Sequence, residues 1–72
     1  MKLLNQVILE GEVKAIEENG KTVKIENDGV IFTVFTTDNL AGFISSKNPK
    51  QIRVVGHLKS DGIFGEHIEV RL

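Results

Sequence analysis

Seventy-two residues make a single domain, close to the size below which a core needs staples. No cysteine is present, which excludes a disulfide framework and a thiolate metal site, so tight packing or a partner subunit must supply stability. Nine Lys and Arg against ten Asp and Glu leave a net charge of −1, which excludes an indiscriminately basic surface but allows a local positive groove. No apolar run approaches the roughly 18–20 residues that cross a bilayer. The opening Met-Lys-Leu-Leu lacks the apolar region of a secretory leader, so a cytoplasmic protein is expected, with no membrane partner.

Residues 3–18 alternate as one long strand, with Asn5, Val7, Leu9, Gly11 and Val13 on one side and a bend expected at Gly11. Asn19-Gly20 is a strong two-residue hairpin signal, since a type I′ turn needs positive φ at both central positions. Residues 21–27 form a second strand, with Val23 and Ile25 inside and Thr22, Lys24 and Glu26 outside. Asp28-Gly29 repeats the hairpin signal. Residues 30–36 form a third strand, Val30, Phe32 and Val34 facing in and Ile31, Thr33 and Phe35 facing out.

The period then changes. Leu40, Phe43 and Ile44 fall at i, i+3, i+4 on one helical face, so Phe43 is expected in the core, as is Phe32 from the inner face of strand three. Thr37 or Asp38 caps this short helix and Asn48-Pro49 ends it. Residues 51–58 and 63–71 are a closing hairpin around Lys59, Ser60, Asp61 and Gly62. Ile52, Val54 and Leu58 share one face of its first strand; Phe64, Ile68, Val70 and Leu72 share one face of its second. The order β-β-β-α-β-β is that of a mainly β, five-stranded OB-fold barrel spanning residues 1–72. An SH3-like barrel is the nearest rival but does not usually place a helix between strands three and four.

Asn5-Gln6-Val7-Ile8-Leu9-Glu10-Gly11 is similar to the "N-x-V-x-L-x-G" that opens the bacterial single-stranded DNA-binding protein (SSB) family. Val34-Phe35 with Leu40-Ala41 resembles that family's "V-x-F-G-K-L-A", residues 52–59 its "V-x-V-x-G-x-L-R", and Gly65-Glu66-His67-Ile68 its "A-E-x-I". Primosomal replication protein B is a structural cousin of the same kind. The resemblance implies a non-enzymatic, homo-oligomeric barrel that binds single-stranded DNA, with RNA the alternative, and with little sequence preference, in replication, recombination or repair. The family's long basic hairpins, stacking tryptophans and acidic tail have no counterpart in these residues, which implies a shallower site.

Single strands are held by rings that stack bases and by cations along the backbone. Phe35 falls where the family carries a stacking phenylalanine; the plain alternative packs it under the helix. With Phe35 the expected surface comprises Thr33, Ile31, Lys24, Lys21, Arg53, His57, Lys59 and, if exposed near its hairpin, Phe64. Each cation is otherwise a solvated surface charge, and Glu26 and Asp28 would oppose phosphate. Strand one carries the dimer contact in the resembled family, so Asn5, Gln6, Ile8, Glu10 and Val55 are the expected interface of a homodimer or homotetramer.

Catalysis has little support: no nucleophile elbow, no phosphate-cradling glycine loop and no Cys/His cluster are present. His57 and His67 lie on separate strands, and Glu66 and His67, as strand neighbours, should point to opposite faces. No enzyme activity, metal or cofactor is expected. The competing reading is an OB barrel used as a protein-interaction or assembly module, favoured by the near-neutral charge, the absent tryptophans and the short loops.

Overall fold

A computed structural model describes residues 5–71, the last of these by its backbone alone. The strands are β1 (Val7–Glu17), β2 (Thr22–Asn27), β3 (Val30–Phe35), β4 (Gln51–Lys59) and β5 (Gly62–Arg71), with one helix, α1 (Asp38–Lys47), between β3 and β4. The strands close into a barrel in the order β1-β2-β3-β5-β4, the arrangement of an OB-like fold. Every pairing is antiparallel except β3 with β5.

Closure depends on β1 serving two neighbours. Its residues Val7 to Glu12 pair with β4, and Glu12 to Glu17 pair with β2. The change of partner is accompanied by an irregularity at Lys14, between Val13 and Ala15, while at Gly11 a Cβ would come within 2.3 Å of the Glu26 carbonyl oxygen. Bulges of this kind sharpen the local twist and let a short sheet curl shut.

The two β1–β2 and β2–β3 turns differ. Asp28 and Gly29 take φ of 53° and 83°, the positive pair a two-residue turn requires. The expected tight Asn19-Gly20 turn is instead a 3-10 turn over Glu18–Gly20, with φ positive at all three positions. Ala41 of α1 packs its carbonyl against this turn: a Cβ on Gly20 would come within 2.2 Å of that oxygen.

Val23, Ile25, Val34, Ile44, Ile52 and Val54 are wholly buried, joined by Leu9, Ile63 and Ile68. Burying such a side chain contributes about 1.5–3 kcal/mol, which is what holds so small a barrel without cross-links. The helix plugs one end through Ala41 and Ile44, with Leu40 packed beside them. Thr37 caps it, its hydroxyl accepting from the Leu40 N–H at 3.3 Å, and Asn48 ends it in the left-handed region.

Three expected core positions lie outside. Phe43 is 41% exposed because α1 meets the barrel along Leu40, Ala41 and Ile44, one position away from the Phe43 side. Leu58 is 58% exposed beside the β4–β5 turn, beyond Gly56, the last β4 residue to pair with β1. Val30 is exposed at the start of β3, beside the β2–β3 turn and away from the β3–β5 pairing. Phe32 packs against the core as expected. Thr22 keeps its outward register opposite Phe35 but is covered, its hydroxyl donating to the Glu18 carboxylate at 3.3 Å. Leu72 lies outside the described residues.

Candidate functional site

Barrel closure brings the outer faces of β2, β3, β5 and β4 side by side. In register across them stand Thr22, Phe35, Phe64 and His57, each opposite the next. Lys24 lies opposite Thr33 on β2 and β3, and Lys59 lies opposite Gly62 on β4 and β5. Both Phe35 and Phe64 are half-buried, neither lost in the core nor free in solvent.

Phe64 reaches this face through a fault in β5. Gly56 pairs with Gly65, but Val55 pairs with His67, so Glu66 is an extra residue with no partner on β4. The extra residue reverses the strand's parity: Ile63 is buried and Phe64 faces out before it, while Ile68 is buried after it. Phe64 therefore does not share a face with Ile68 and Val70. Glu66 and His67, expected on opposite faces, are both exposed at the fault.

The Phe64 ring lies 5.5 Å from the His57 ring, tilted by 48°, and the Lys59 ammonium sits 5.4 Å from its centroid. Gly62 is what lets Phe35 lie low: a Cβ there would stand 2.9 Å from the Phe35 Cε2 and 2.6 Å from the Thr33 carbonyl oxygen. Lys24 Nζ donates to the Thr33 hydroxyl at 2.8 Å, which holds its charge over the sheet.

The fold thus gathers Phe35, Thr33, Lys24, His57, Lys59 and Phe64 on one surface. Ile31 continues it along β3, opposite Glu26. Two expected cations stand apart. Lys21 is turned to Asp38 at the start of α1, 3.6 Å away, and Arg53 sits in register between Glu10 and Glu69, its Nη1 3.9 Å from Glu69. Glu26, an acid that would repel phosphate here, is held by Lys14 at 3.3 Å. Hydrogen bonds to Glu12 and then Glu26 hold the Lys14 ammonium above the ordinary lysine range.

Glu66 is the residue that strand periodicity missed. Its Oε1 lies 2.6 Å from His57 Nδ1, beside the Phe64 ring. Nothing in Gly65-Glu66-His67 announces a bulge, because a bulge is defined by the partner strand.

Of the residues expected at an interface, Ile8 is 57% exposed and lies opposite Val55 on the outer face. Gln6 and Glu10 are exposed. Asn5 is engaged within the barrel: its amide donates to the Leu58 carbonyl and accepts from the Leu58 N–H, extending the β1–β4 ladder. Among the described residues no group of three or more His, Cys, Asp or Glu could hold a metal ion, and no helix is long and apolar enough to cross a membrane. No protein-family model, curated protein or solved structure matches the chain.

Proposed function

We propose that this barrel binds single-stranded nucleic acid, DNA foremost, without catalysis and with little sequence preference, in the replication, recombination or repair role of the SSB proteins it resembles. The observation that supports this is the pairing of Phe35 and Phe64 in register on adjacent strands, with Lys24, His57 and Lys59 around them. Successive bases stack on the two rings, and the backbone follows the cations. Two rings and two lysines, with His57 beside them, make a weak site for one barrel, so pooling of sites in an oligomer adds to it.

A labelled oligo(dT), titrated at two salt concentrations, tests the proposal. Two lysine–phosphate contacts, at about −0.7 each, predict a log–log slope of about −1.4. Phe35→Ala should weaken binding at least fivefold while leaving the fold intact. Absence of binding at low salt, or indifference to Phe35→Ala, would reject it. A second reading is favoured by Ile31, 53% exposed on the Phe35 side of β3 toward the β2–β3 turn: a partner peptide lies along this face of the sheet. That reading gains if oligonucleotides of every length fail to bind.

A further inference from the structure

The pair of Glu66 and His57 contributes little to holding the barrel together. Both side chains are exposed in part, and an ion pair at such a site adds little to stability. Yet the β5 fault places the carboxylate 2.6 Å from the imidazole, at the edge of the ring platform. A carboxylate and a phosphodiester offer the same thing to an imidazole: a pair of anionic oxygens able to accept its N–H.

We propose that Glu66 is an internal stand-in for phosphate, occupying His57 until the phosphodiester of a bound strand takes its place. This deepens the nucleic-acid reading and rests on it. The exchange costs one anion contact and gains another, so His57 adds little net affinity in the native protein. Its purpose is selective: an isolated anion gains nothing by displacing Glu66, whereas a strand that also stacks on Phe35 and Phe64 does.

Protonation makes the exchange visible. Imidazole changes charge between about pH 5 and 8. The groups that face His57 are Glu66 and Phe64 from β5 and Lys59 from its own strand; Asn5, preceding β1, is bonded to neighbouring Leu58. With Glu66 present, a protonated His57 is already neutralised, and lowering the pH changes strand affinity little. With Glu66 removed, the imidazolium is left for phosphate, and affinity rises as pH falls.

The test compares Glu66→Gln with the native residue, both in a His67→Gln background so that His57 is the remaining histidine. Oligo(dT) binding is measured at pH 6 and pH 8, and the His57 ring nitrogens are followed by NMR without oligonucleotide. Glu66→Gln should tighten binding about fivefold at pH 6, the scale of one unit-charge contact across water, and clearly less at pH 8. The Nδ1 resonance should also shift in the free protein. Equal tightening at both pH values, or none, overturns the stand-in role, as does an unmoved Nδ1. If neither protein binds at any pH, the nucleic-acid reading fails and this inference with it; binding with a flat Glu66→Gln response rejects this inference alone.

Discussion

Phe35 and Phe64 are presented by different means, and the difference decides how each responds to substitution. Phe35 lies over Gly62, so its ring is supported from below by backbone. Phe64 is flanked by the Lys59 ammonium and the His57 ring. A strand that stacks on Phe64 therefore meets a cation at the same spot, and removing the ring also releases Lys59. A lost stack costs about 1–3 kcal/mol, so Phe64→Ala should weaken oligo(dT) binding roughly five- to hundredfold. Phe43, equally aromatic and 41% exposed on α1, serves as the control. Phe43→Ala should leave binding unchanged, with circular dichroism showing both variants folded. Equal losses from the two would mean that the rings act through general hydrophobicity and not through a platform.

At the level of elements, what was legible in the sequence is what local chemistry decides. Val23 and Ile25 inside, Lys24 outside, and the Asp28-Gly29 turn follow from alternation and from the positive φ that turn demands. The outward place of Phe35 was legible for the same reason. Phe64 was not, because its face depends on Glu66 having no partner on β4. The face of α1 was half legible: Leu40 and Ile44 turn inward, but the third contact is the small Ala41 rather than Phe43. Backbone proximity, here the Ala41 carbonyl against the 18–20 turn, requires glycine at residue 20. The cap was legible as a choice of two, and Thr37 takes it. Since α1 carries the wholly buried Ile44, loss of the cap should register in global stability. Thr37→Ala is expected to lower unfolding free energy by about 1 kcal/mol, read from the urea midpoint at unchanged m. An unmoved midpoint would show that the 3.3 Å contact contributes nothing.

The whole barrel joins the ring platform to an apolar neighbour on the same sheet. Ile8, Val55 and His67 stand opposite one another across β1, β4 and β5, and Val55 is two residues along β4 from His57. Apolar exposure at Ile8, next to Val55 and on the same sheet as the ring platform, fits a two-fold contact in which a second copy covers the patch. Such a dimer sets two platforms close together, and a strand long enough to reach both gains from the second site acting within one complex. Sedimentation equilibrium should therefore give twice the chain mass, and Ile8→Lys should return it to that of one chain, since lysines would face each other across the axis. The same substitution should weaken binding of a long oligo(dT) and spare a short one, because each platform stays whole while their linkage is lost. A native protein that sediments as one chain, or an Ile8→Lys dimer, would locate any cooperation between barrels elsewhere. Equal weakening on long and short strands would instead mean that Ile8 touches the strand itself, making the patch an extension of the groove.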